Sequence, residues 1–183
     1  MLMTREWAMP NKDTFSIKPI KALIEKWIDS PLLMVADPFS NGKRFCKVCI
    51  TNDLDEELEA DFHMDALDFL KSLADESIHV VLFDPPYSPR QVSECYKKMG
   101  KTVNMQTTQS SYWGNMKKEI ARVLTPSGVC LTFGWNSGGI GKNVGFEIEE
   151  VLLVAHGGWH NDTICTVNRK VYIAKPNAKN ELP

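Results

Sequence analysis

The stretch VVLFDPPYSPR, residues 80–90, ends an apolar run in a carboxylate, two prolines and a tyrosine. Proline lacks an N–H and has a fixed φ, so Pro85 and Pro86 can neither continue a ladder nor enter a helix interior. They fix the backbone as it leaves a strand. Asp84 then becomes a fixed acceptor at the edge of a sheet, with the ring of Tyr87 held just outside it. A carboxylate beside a backbone carbonyl suits an exocyclic NH₂ group, and a flat ring suits stacking on a base. The chemistry would be to orient an amino nitrogen toward an electrophile in a neighbouring pocket. Read alone, the same four residues also fit a Pro-Pro turn with a packed tyrosine.

Two other strand ends carry acids. In VADPFSNGKRF, Asp37 precedes a Gly-containing turn that lets the backbone approach a ligand closely. It is not GxGxxG, so the dinucleotide signal is weak. In NDLDEE, Asp53 and Asp55 follow a second strand. An acid there commonly accepts hydrogen bonds from ribose hydroxyls, although Glu56, Glu57 and Glu59 equally suggest a solvated acidic loop. Asp65, in DFHMDALDFL, stands at a strand-to-helix junction, where capping is the default role. His63, without a partner motif, reads as structural.

These groups must be positioned by a sheet. The apolar runs PLLMVAD, CKVCITND, IHVVLFD, VCLTFGW, GFEIEEVLLVAH and TICTVNRKVYIAK predict six strands. Between them, SIKPIKALIEKWID, MDALDFLKSL and SYWGNMKKEIARVL predict amphipathic helices, and TPSG a turn. Fully apolar strands alternating with helices argue for a parallel sheet covered on both faces. The fold class is α/β, doubly wound, and its ligands are expected beyond the carboxyl ends of the strands.

The 183 residues suit one domain without a linker, preceded by an N-terminal helical segment over about residues 1–30. A net charge of −2 gives no global attraction for nucleic acid, so such a partner needs a local basic patch. No apolar run approaches the roughly 18 residues of a membrane helix. The N-terminus lacks the apolar core of a signal peptide. Five cysteines at irregular spacing read as reduced thiols in a cytoplasmic protein. Cys46 and Cys49 form a lone CxxC in a strand-like stretch, which favours packing over metal. His156 and His160 are spaced i, i+4, but Gly157 and Gly158 between them argue against a helical metal pair.

Together these motifs resemble a family. FDPPYS resembles the catalytic motif of S-adenosylmethionine-dependent amino-methyltransferases, which act on adenine N6 or cytosine N4. VADPFSNG resembles their first cofactor motif, FSIKPIKALIEKWI the segment before it, and MDALDFL a later motif. The four occur in the family's order over residues 15–88. The compact arrangement is similar to small phage-encoded adenine methylases.

The resemblance implies a Rossmann-like class I methyltransferase fold, mostly parallel with an antiparallel C-terminal strand. It implies S-adenosylmethionine as cofactor, no metal, and S-adenosylhomocysteine as product. Asp84, Pro85, Pro86 and Tyr87 would form the catalytic site. Asp84 and the Pro85 carbonyl would accept hydrogen bonds from the target amine, and Tyr87 would stack on the flipped base. Asp37, Pro38, Phe39 and Asn41 would wrap the methionine end of the cofactor, helped by Ser16, Ile17 and Lys18. Asp53 or Asp55 would hold the ribose, and Asp65 would lie near the cofactor's adenine.

DPPY rather than SPPY favours adenine as the target, and the expected partner is double-stranded DNA. In a phage-encoded protein the location would be the host cytoplasm, and the role protection against restriction. The chain departs from the family pattern in having Ser-Asn-Gly where x-Gly-x-Gly is usual. It also lacks an insertion long enough for a target-recognition domain, and a homodimer is one way to contact enough DNA. Candidate substrate contacts are Ser88, Arg90, Lys97 and Lys98 just after the catalytic motif, with Trp135 and Asn136 in the loop FGWNSGGIG.

Overall fold

Three helices form where apolar residues recur at three and four positions. In α1 (Lys18–Trp27), Ile20, Leu23 and Ile24 are buried. Proline near its start leaves no intrahelical donor missing. In α2 (Ala66–Ser72), Ala66, Phe69 and Leu70 are buried. In α3 (Ser110–Val123), Met116, Ile120 and Val123 are fully buried. The computed structural model describes residues 1–86 and 110–171.

The strands are β1 (Leu2–Trp7), β2 (Val35–Asp37), β3 (Cys49–Thr51), β4 (Ile78–Phe83), β5 (Leu124–Gly134), β6 (Phe146–Ala155) and β7 (Thr163–Lys170). Among the described residues they form one seven-stranded sheet in the order β1-β6-β7-β5-β4-β2-β3. Strand β7 alone is antiparallel to its neighbours β5 and β6; the other ladders are parallel. The ladder of β4 with β5 steps from Ile78–Leu124 to Val80–Val129, so residues 125–128 bulge out as the expected turn.

Successive residues of a strand point to opposite faces. Val80 and Leu82 of β4 accordingly pack with Ile20, Leu23 and Ile24 of α1. Val81 and Phe83 pack on the other face with Phe69, Leu70, Met116 and Ile120 of α2 and α3. The result is the doubly wound three-layer arrangement. No described helix is long and apolar enough to cross a membrane.

Two departures stand out. The N-terminal segment is helical only over Thr14–Ser16, a 3₁₀ turn, and α1; Leu2–Trp7 is an edge strand, exposed throughout. No helix links β2 to the parallel β3, and residues 38–48 cross over as turns instead. That crossover brings its backbone to the carboxyl edge of the sheet, where a helix would have carried the chain away.

Candidate active site

The carboxyl ends of β2, β3 and β4 lie side by side, and each runs into an acid. Asp37 is the last residue of β2 and is wholly buried. One of its oxygens accepts the Phe39 N–H at 3.1 Å. Burial is the main cause that pushes its carboxyl from 3.8 up to about 8; the Phe39 bond opposes this, and the nearby charges of Asp84 and Asp53 add to it. Asp84, half-buried, is thus close enough to Asp37 to act on it electrostatically.

Among the described residues two buried side-chain oxygens have no hydrogen-bond partner, Asp37 Oδ2 and Ser40 Oγ. Both belong to the turn after β2. An unpaired buried polar group costs free energy, so two of them at the end of β2 and in the turn after it call for an explanation.

The turn is held open by left-handed backbone. Asn41 has φ +49° and Gly42 φ +71°. Asn visits this region more readily than most residues, so it serves here where the family pattern has Gly. Asp53 joins the two acidic loops. Its Oδ2 accepts the Asn41 N–H at 2.8 Å and its Oδ1 the Asp55 N–H at 2.9 Å. Asp55 accepts the Glu57 N–H and shapes its own loop.

Asp65 caps α2 as expected, accepting the Leu67 N–H at 2.9 Å. It also accepts the Tyr112 hydroxyl at 2.7 and 2.8 Å, which ties the start of α3 to this edge. Buried Asn52 fastens the loops from beneath. Its amide donates to the carbonyls of Pro38 and Met64 and accepts the Met64 N–H. Neither Tyr112 nor Asn52 was predicted, because no local motif marks them.

The segment before α1 joins the same edge. Phe15 packs on Phe133 near the end of β5, with ring centroids 4.9 Å apart. Asp13 pairs with Lys43 of the turn after β2. Ser16 donates its hydroxyl to the Asp13 carbonyl, and Lys18 opens α1. The Ile17 side chain is buried in the core with Ile20 and Ile24.

Between the ends of β4 and β5 lies a cleft of about 270 Å³. Pro85, Pro86, Trp113, Lys117, Trp135 and Asn136 are among its walls. Trp135 is 44% exposed, a flat apolar surface left open to solvent. Phe39 and Phe83 stack edgewise at 5.8 Å, so the turn after β2 and the strand carrying Asp84 share one aromatic contact. Of the expected site, Tyr87, Ser88, Arg90, Lys97 and Lys98 lie outside the described residues.

The histidine and cysteine motifs have structural explanations. His156 is buried, donating from Nδ1 to the Ala8 carbonyl at 2.8 Å and accepting the Thr163 hydroxyl on Nε2 at 2.9 Å. Cys49 is buried in the core and Cys46 packs against it. Among the described residues no three His, Cys, Asp or Glu side chains are grouped as a metal would need.

No protein-family model matches the chain, and no curated protein does. Solved structures do. The chain is similar to the 1,6-didemethyltoxoflavin-N1-methyltransferase of Burkholderia thailandensis, solved with its substrate and S-adenosylhomocysteine. The TM-score is 0.58 at 11% identity, over 85% of this chain and 78% of that one. It is similar to TrmN of Thermus thermophilus, with TM-score 0.57 and 15% identity over 85% of this chain and 49% of that one. It is also similar to the N-methyltransferase NodS of Bradyrhizobium japonicum, solved with S-adenosyl-L-homocysteine, with TM-score 0.54 and 10% identity over 84% and 86%. The chain has the Rossmann-like class I methyltransferase fold. At these identities the likeness speaks for the fold.

Proposed function

We propose that the protein transfers a methyl group from S-adenosylmethionine to the exocyclic N6 amine of adenine in double-stranded DNA. One observation carries the reading. The two buried unpartnered oxygens, on Asp37 and Ser40, lie in the turn after β2, and Asp84 with its two prolines lies one strand away beside an aromatic cleft. The first place fits a cationic group that needs acceptors. The second fits a flat ring carrying an amine.

When bound, S-adenosylmethionine supplies an electrophilic methyl group on a sulfonium. Asp37, Asn41 and the backbone of residues 38–42 would hold its methionine end, and Asp53 its ribose. Asp65, already bonded to Leu67 and Tyr112, shapes the edge near the adenine. Asp84 and the Pro85 carbonyl accept hydrogen bonds from the target amine and stabilise the positive charge that develops on nitrogen. Pro86, Trp113 and Trp135 wall the flipped base, whose extrusion costs a few kcal/mol. The preference for adenine over cytosine rests on Asp at position 84.

The test is incubation with tritiated S-adenosylmethionine and, in parallel, unmethylated duplex DNA, single-stranded DNA and RNA, followed by nucleoside mass spectrometry. N6-methyladenine in DNA is the expected product. Asp84→Ala should abolish transfer while calorimetry still shows S-adenosylhomocysteine binding. Full activity in that variant would sink the assignment. Label on RNA or on cytosine keeps the mechanism and replaces the substrate. No transfer and no cofactor binding identifies a non-catalytic module of the same fold.

A further inference from the structure

Lys117 is a half-buried cation in the wall of the cleft. It stands one turn after Trp113 on α3, so both side chains reach the same side. Its Nζ donates to the Gly139 carbonyl at 2.6 Å, which uses one of three donors. Among the described residues no carboxylate pairs with it, and desolvation depresses its pKa. Other cations of this fold are treated differently. Lys26 pairs with Glu150, Arg44 with Asp61, Arg122 with Asp75 and Glu119, and Arg169 with Glu149. Even half-burial imposes on an ammonium a desolvation cost that a nearby anion would offset.

Holding the loop does not require the charge. Asn168 already accepts the Ile140 N–H at 3.1 Å, and its own amide is fixed by the Cys130 carbonyl and by Thr166. Gly139 is seated so closely that a Cβ there would fall 2.0 Å from Asn168 Oδ1. A neutral donor on α3 could complete the bond to the Gly139 carbonyl. The positive charge is left over, and it borders a cleft whose nearest walls are proline and tryptophan.

We propose that Lys117 binds a phosphodiester group next to the target nucleotide. The inference rests on the nucleic-acid reading above. A neutral base offers an ammonium hydrogen-bond acceptors but no opposite charge, whereas every flipped base brings with it the anion of its own backbone phosphate. Lys117 therefore sets the position of the strand, while Asp84 sets the position of the amine.

The experiment uses the full chain, with K117Q and K117R beside the wild type. The KM for an adenine-containing duplex is measured between about 50 and about 200 mM salt, with kcat and S-adenosylhomocysteine affinity in parallel. K117Q should raise KM roughly tenfold at the lowest salt. Its plot of log KM against log salt should be shallower by about 0.9, the signature of one lost phosphate contact. K117R should keep the wild-type slope, and neither variant should change S-adenosylhomocysteine affinity. An unchanged slope in K117Q, with kcat reduced in both variants, overturns the proposal and leaves Lys117 as a loop fastener. A wild type that neither binds nor methylates any polymer overturns the nucleic-acid reading, and this assignment with it. If RNA is the substrate, a slope change of about 0.7 on single-stranded RNA supports the same contact.

Discussion

Replacing Asp37 by Asn should make the ligand-free protein more resistant to alkaline conditions and worse at binding its cofactor. Asp37 is wholly buried, and burial together with Asp84 and Asp53 raises its carboxyl from 3.8 to about 8. The folded pKa lies above the unfolded one, so the folded state holds the extra proton between these values. The contribution of Asp37 to stability is intact below pH 3.8 and is lost as pH rises toward about 8. Each pH unit in that window costs at most about 1.4 kcal/mol. Local relaxation and water entry reduce the figure, so about 1–2 kcal/mol should be lost between pH 6 and 8.

Asn at this position keeps the Phe39 N–H bond through its carbonyl and loses the titration. It also buries an amide NH₂, a cost that does not vary with pH. The quantity to read is therefore the gap between variant and wild type, from urea unfolding at about pH 6 and about pH 8. That gap should move in favour of Asp37→Asn by about 1–2 kcal/mol as pH rises. A gap that is constant, or that moves the other way, would refute the burial argument. Calorimetry on the same proteins should show weaker S-adenosylhomocysteine binding in the variant.

Two further perturbations separate site from scaffold. Asn52→Ala removes one hydrogen bond to the loop after β2 and two within the segment that follows β3; it should cost about 2–4 kcal/mol in unfolding and lower cofactor affinity together. His156→Ala breaks the contacts to Ala8 and Thr163; it should cost about 2–3 kcal/mol, while kcat in the methylation assay stays at the wild-type value.

Much of this arrangement was legible in the sequence because burial leaves a pattern. Strand β4 is apolar on both faces, and Asp84 ends it where prolines forbid further pairing. Asn41 and Gly42 announce the left-handed turn that their φ values show. What was not legible depends on tertiary contact. Strand β1 is exposed at every position, so LMTREW carries no burial periodicity, and only its pairing with β6 makes it a strand. The Tyr112 bond to Asp65 joins positions 47 residues apart. Lys117 looks from the sequence like any lysine on a solvated helix face; only the fold shows it bordering the cleft. The side chain of Ile17 continues the apolar stripe of α1 inward, a burial that only the packing shows.

The distribution of charge across the site follows from the same placement. On one side, Asp37, Asp53 and Asp84 crowd the ends of three adjacent strands, and their mutual repulsion helps to keep Asp37 protonated. On the other, Lys117 borders the cleft with no carboxylate paired to it among the described residues. A cation entering beside Asp37 would relieve the first strain, and an anion at the cleft would relieve the second. A chain of net charge −2 cannot attract a polyanion by its overall field. Under the proposed function, affinity for DNA would come from local cations, Lys117 among them, with Arg90, Lys97 and Lys98 following the DPPY motif in sequence. The proposed pair of ligands, a sulfonium and a phosphodiester strand, carries the two signs of charge that these two sides lack.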